Sequence, residues 1–201
     1  GISVSAFAQT DYTIPQLQQV PIDSLLLMDA GQFTARGNLD DTAPIIRNDT
    51  VRIVGRVLVR PRMLTYTLTR YNTFIQDTTT GQLWAGLNVL TNDTTPSAQL
   101  TLITAVDSGM VIRIVGRALE FVSSGSPNSN TQVYIYNNSG TPLFTTPVAV
   151  EILSSGSRPA PQEVTVDSFS VGTTPKYSRG EKYEGMYVVF RNVTVNSVDP
   201  A

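Results

Sequence analysis

The chain has 201 residues and a mass of 21.8 kDa, enough for one fair-sized domain or one domain and part of another. It contains no Cys and no His, which excludes disulfides, thiolate nucleophiles, zinc fingers, imidazole bases and His-ligated metals. Of 14 basic residues only Lys176 and Lys182 are lysine, and a net charge of −2 with a pI of about 5.1 does not describe a generic nucleic-acid binder.

Along the chain, no run approaches the roughly 18 apolar residues of a membrane-spanning helix. Residues 1–9 are small and apolar, and Ala6-Phe7-Ala8 has the A-x-A form of a cleavage site. They read as a signal-peptide remnant or an N-terminal strand, and the chain as exported. Residues 10–44 form an acidic, extended arm in which Ile22 to Met28 is a helical turn or a strand. Apolar alternation then becomes strict. Val51, Ile53, Val57 and Val59 share one face of a strand, and Arg52, Arg56 and Arg60 the other, until Pro61 ends the ladder. Tyr71 to Gln76 and Gln82 to Leu90 read as a hairpin around Asp77-Thr78-Thr79-Thr80-Gly81. Leu100 to Ile103 is strand or helical turn. Asp107-Ser108-Gly109 turns the chain into a strand from Met110 to Phe121. Thr131 to Tyr136 and Leu143 to Val150 read as a second hairpin, and residues 154–162 as a linker. The segments Val51 to Leu58 and Ile112 to Leu119 match at six of eight positions, including Gly55 and Gly116. They read as equivalent strands of one barrel with glycine at a sharp bend.

Several short strands with such glycines suggest an all-β, five-stranded, OB-like barrel over residues 45–155. Phe74-Ile75-Gln76-Asp77 followed by Gly81-Gln82-Leu83-Trp84 resembles the YIQD–GTGGI hairpin of OB-fold domains in bacterial secreted and cell-surface proteins. Asp107 to Gly116 is similar to their vGDrVrVtG strand, and Tyr183-Glu184-Gly185-Met186 to Val195 to their YEGMLVrleNVTV element. The chain departs in having Thr-Thr-Thr-Gly in the hairpin turn, and no nuclease domain follows. The resemblance implies the exterior or surface of a Gram-negative bacterium. It also implies that residues 156–201 are a linker plus the first strand of a second, incomplete OB-like unit. That extra C-terminal strand is expected to pair elsewhere, on its own barrel or on a neighbour by strand addition.

No nucleophile elbow, P-loop, dinucleotide fingerprint or calcium-loop spacing is present. Nothing in the sequence brings two carboxylates, such as Glu181 and Glu184, into one pocket. The expectation is a non-catalytic protein without cofactor, metal or small-molecule substrate. Arg52, Arg56, Arg60, Arg62 and Arg70, joined by Arg113 and Arg117 if the first and fourth barrel strands are neighbours, form a candidate face for extracellular DNA or another polyanion. Residues 43–155 carry eight basic and six acidic residues, so the barrel is mildly basic. Tyr71 and Trp84 are candidate stacking partners, although Trp84 also suits a core position. The competing reading is a structural subunit of an extracellular fibre that self-associates through edge strands. Its candidate interface residues are Tyr183, Met186, Val188, Phe190, Val193, Val195, Tyr134 and Tyr136. The ordinary alternative for the arginines is a solvated strand face that discourages edge aggregation.

Overall fold

The computed structural model describes residues 10–31, 50–67, 70–79, 81–92, 97–122, 129–135 and 149–194. The described part of the arm opens with a short strand β1 (Thr10–Asp11) and carries helices α1 (Ile14–Gln18) and α2 (Ile22–Asp29). Helix α1 starts at a capping box, in which the Thr13 hydroxyl accepts the Gln16 N–H and the Gln16 side chain accepts the Thr13 N–H. There follow β2 (Thr50–Val57), β3 (Thr65–Thr67), β4 (Arg70–Gln76), β5 (Gly86–Asn92), α3 (Ser97–Ala105), β6 (Val111–Val122) and β7 (Ser129–Tyr134). The ambiguous segment 100–103 is therefore helical, and the strand expected from Gln82 begins only at Gly86.

Five strands close on themselves. β2 pairs antiparallel with β4, β4 with β5, β7 with β6, and β6 with β2, while β5 and β7 run parallel. A helix between the third and fourth strands and a parallel pairing of the third with the fifth complete the OB topology, so the fold follows from strand order and register alone. The two repeated segments are partners in this barrel, in register from Thr50↔Arg117 to Arg56↔Val111.

The inward faces fill the core. Val51, Ile53 and Val57 of β2 meet Ile75, Leu87, Val89, Ile112, Ile114, Ala118 and Val133, and all are buried. Ile14 and Leu17 of α1, with Leu102 and Val106 at α3, join the same cluster. The arm thus contributes to the domain core rather than lying along it. Gly55 and Gly116 face inward as well. A Cβ on Gly116 would overlap Val133 Cγ1 and lie 2.7 Å from the Tyr134 carbonyl oxygen, and one on Gly55 would lie 2.9 Å from Ile75 Cδ1. Each glycine leaves room for residues of the strand paired beside it, β4 for Gly55 and β7 for Gly116, a reason beyond the bend expected from sequence.

The expected second hairpin, Thr131 to Tyr136 with Leu143 to Val150, lies largely outside the described residues. Strand β8 (Val150–Ser154) pairs with the first half of β6, not with β7. Beyond it the chain builds β9 (Gln162–Val164), β10 (Ser170–Val171), β11 (Thr174–Pro175), α4 (Tyr177–Gly180) and β12 (Val188–Phe190). The C-terminal strand is three residues long in the described part and has a partner in its own chain, since β12 runs parallel to β9.

Candidate nucleic-acid interface

Pairing of β2 with β6 brings the arginines together as anticipated: Arg52 stands opposite Val115, and Arg113 opposite Val54. Five of them have partners inside the fold, three of these carboxylates. Arg52 holds Asp11 through two guanidinium nitrogens, one of them Nη2 at 2.6 Å. This hydrogen bond, reinforced by the charges of Arg52 and Arg113, holds the Asp11 carboxyl below its usual range against the opposing effect of desolvation. Arg113 pairs with Glu151 of β8 at 2.5 Å, and Arg60 lies 3.8 Å from Asp107. Arg56 Nη1 donates to the carbonyls of Gly109 (2.8 Å) and Ser157 (3.2 Å), and Arg62 Nε to that of Ile103 (3.0 Å). A guanidinium paired with a carboxylate in the same chain offers a phosphate little net charge, whereas Arg56 and Arg62, held by neutral carbonyls, keep their charge but commit an N–H.

Arg70 and Arg117 differ. Neither has a hydrogen bond or ion pair to another described residue, and Arg117 Nε is buried without a partner. Both occupy outward positions, and strand register fixes what lies between them. Asn72 (β4), Leu90 (β5), Tyr134 (β7) and Arg117 (β6) form one row across the outer face. Arg70 extends it by one outward position on β4 and is near enough to Tyr134 to lower its phenol pKa, although burial is the larger effect and raises it. The next row runs Phe74, Asn88, Gln132 and Leu119. Asn88 and Gln132 are buried to 7% and 6% exposure, yet Asn88 Oδ1 and Gln132 Oε1 accept nothing. Asn130 Oδ1, further along β7, is likewise unpartnered. Unpaired buried oxygens are costly, and here they collect on one face of the barrel.

The aromatic candidates fall differently. Tyr71 shares the inward register of Thr73 and Ile75, so stacking from the outer face passes to the half-buried Phe74. Trp84 precedes β5 and is half-buried, and its backbone N–H donates to the Lys182 carbonyl (2.8 Å). Among the interface candidates, Tyr183 and Phe190 both pack on Phe169, with ring centroids 5.2 and 5.4 Å apart. Met186 donates to the Tyr183 carbonyl, Val188 lies in β12, and Val193 is exposed. Tyr134 is buried on β7. Tyr136 and Val195 lie outside the described residues. The three amides went unnoticed in the sequence. Alternation marks Asn88 and Gln132 as outward, but nothing local signals that an outward position is covered.

The carboxylates Glu181 and Glu184, which nothing in the sequence brings together, do meet. They line a cavity of about 470 Å³ with Asn130, Phe169, Lys176 and Tyr183. Burial raises the Glu181 carboxyl above its ordinary value, partly offset by a hydrogen bond with Glu184. Glu184 also accepts the Thr131 N–H of β7 at 3.2 Å. No group of three or more His, Cys, Asp or Glu side chains suited to a metal occurs among the described residues, and no described helix is long and apolar enough to cross a membrane.

No protein-family model matches the chain, and no curated protein matches it. Among solved structures, the chain is similar to the mitochondrial single-stranded DNA-binding protein Rim1 of S. cerevisiae in two crystal forms. The first has a TM-score of 0.36 and 15% identity over 55% of this chain and 99% of that one. The second has a TM-score of 0.37 and 16% identity over 55% and 100%. The class of protein is defined by the barrel's own connectivity: an OB fold.

Proposed function

We propose that this OB-fold chain is a non-catalytic module that binds a polyanion, with DNA as its ligand class, on the outer face of β4, β5, β7 and β6. The carrying observation is that Arg70 and Arg117, the two predicted arginines without a hydrogen bond or ion pair to another described residue, flank Tyr134 across that face. Outer strands of an OB barrel are where such folds hold oligonucleotides and oligosaccharides. Guanidinium groups supply the phosphate contacts and the half-buried Phe74 a stacking surface. On sequence grounds we place the protein outside the cell, as Ala6-Phe7-Ala8 suggests. The test is titration of labelled single-stranded and duplex DNA at two salt concentrations. Salt-sensitive binding lost in Arg70→Glu/Arg117→Glu supports the reading, and no binding at low salt overturns it.

A second reading, a subunit held in an extracellular assembly by strand addition, is favoured by β8. It pairs on one side with β6, has no strand on the other among the described residues, and exposes Ile152 and Leu153. Sedimentation at high protein concentration tests it, and a monomer throughout rejects it.

A further inference from the structure

The segment 181–187 crosses the same outer face below the arginine rows. Four ties hold it there. Trp84 N–H donates to the Lys182 carbonyl (2.8 Å), Thr131 N–H to Glu184 Oε1 (3.2 Å), and Tyr187 N–H to Gln76 Oε1 (3.0 Å). The fourth is an approach of backbone to backbone. A Cβ on Gly86 would overlap Gly185 C, Met186 N and the Glu184 carbonyl, and one on Gly185 would lie 3.0 Å from Gly86 C. In the register of the face, Gln76 and Gly86 are the next outward pair after Phe74 and Asn88. The segment therefore lies on the same surface as the arginines. Its flanks are anchored separately, by Tyr177 N–H on Asp29 Oδ1 (2.6 Å) of α2 and by the β9–β12 pairing.

The contact is tight in backbone and poor in packing. None of residues 181–187 is fully buried. The cavity lined by Glu181, Tyr183 and Glu184 remains beside β7, with Asn130 Oδ1 unpartnered next to it. Trp84 sits in the left-handed region at φ 62°, unfavourable for a bulky side chain and retained while its N–H is held by Lys182. A segment with few buried contacts, an adjoining void and local strain opens at low cost compared with the barrel.

We propose that residues 181–187 are an intramolecular strap on the ligand face, and that a DNA strand long enough to cross that face must lift it. This rests on the polyanion reading of Arg70 and Arg117. A short oligonucleotide at the arginine rows leaves the strap in place, whereas one filling an OB site competes with it.

The experiment uses the full chain and oligothymidylates of about three and about twelve nucleotides, spanning the site size of one OB fold. Strap opening is read from hydrogen exchange at Trp84 and Tyr187 and from emission of the sole tryptophan, Trp84. In Gly86→Ala those amides exchange about tenfold faster, the longer oligonucleotide binds about five- to tenfold tighter, and the shorter is unchanged. Gln76→Ala, which removes only the acceptor for Tyr187 N–H, shifts both readouts in the same direction by a smaller factor and serves if Gly86→Ala does not fold. Equal affinity for the longer strand in variants whose strap amides have opened overturns the proposal and leaves the polyanion reading standing. Failure of both oligonucleotides to bind the unsubstituted chain and every variant overturns that reading and the strap's role with it.

Discussion

Gly116→Ala is expected to destabilise the barrel far more than Gly55→Ala, although the two glycines occupy matching positions in the repeat. An added methyl on Gly116 meets the backbone carbonyl oxygen of Tyr134 at 2.7 Å, closer than the 3.0 Å that real Cβ atoms respect, and overlaps Val133 Cγ1. The carbonyl belongs to β7, which is paired with both β5 and β6, so it cannot yield without spreading two ladders. At Gly55 the obstacles are Ile75 Cδ1 at 2.9 Å and its Cβ and Cγ1 at 3.1 Å, and the nearest atom is a mobile methyl. Overpacking a fixed core costs about 1–3 kcal/mol, and alanine returns about 0.4–1 kcal/mol through the unfolded chain where its backbone angles are allowed. The net loss is about 2 kcal/mol for Gly116→Ala and near zero for Gly55→Ala. For a domain of this size that separates the two melting temperatures by roughly 4–8 °C. Chemical and thermal unfolding, followed by circular dichroism, measures both. Equal losses would show that the glycines serve strand bending alone and would refute the packing argument.

Leu102→Ala empties a fully buried site where α3 joins the core and is expected to cost about 2–5 kcal/mol in urea unfolding, whereas a loss below about 1 kcal/mol would remove α3 from the cooperative core. Removing the half-exposed Glu151–Arg113 pair by Glu151→Gln should change stability by no more than about 1 kcal/mol, and a larger loss would mean that β8 is held by that contact. Arg56→Ala frees the carbonyls of Gly109 and Ser157, so amides of residues 155–158 should exchange faster with the barrel unaffected; unchanged exchange there contradicts the clamp. The pH response has two opposite parts. Burial raises the folded Glu181 pKa, so its contribution to the strap is complete below its ordinary value of 4.5 and fades as pH rises through the folded value. Its cavity neighbours Glu184, Lys176, Tyr177 and Tyr183 share that environment. Asp11 is lowered, so its contact with Arg52 is complete above 3.8 and is lost as pH falls through the folded value. Trp84 emission should therefore shift as pH rises above about 4.5, and a flat profile from about pH 4 to 8 would contradict the assignment.

The barrel was legible because its strands alternate. Val51, Ile53 and Val57 and their counterparts Ile112, Ile114 and Ala118 carry the period of two that one buried face demands, and the repeat marked them as equivalent strands, which the structure pairs. Helix α1 went unread, although Thr13 and Gln16 carry the spacing of its capping box. The discharge of the arginine face was not readable. Asp11 is 41 residues from Arg52 and Glu151 is 38 from Arg113, and no local pattern announces such pairs. Nor does a sequence show that Gly86 is kept small by Gly185. The C-terminal element has the pattern of a long strand, but only Val188–Phe190 finds a ladder partner, because the preceding residues pack on the barrel instead. Such outcomes depend on contacts between distant segments, where propensity has no purchase.

Polyanion binding turns on which arginines are free of carboxylate partners. Two double variants of the full chain, Arg70→Gln/Arg117→Gln and Arg52→Gln/Arg113→Gln, can be compared by the slope of log K against log salt for single-stranded DNA. Two lost phosphate contacts lower the magnitude of that slope by about 1.4. That change is expected for Arg70 and Arg117 and almost none for the ion-paired Arg52 and Arg113. The reverse order, or equal slopes, would contradict it.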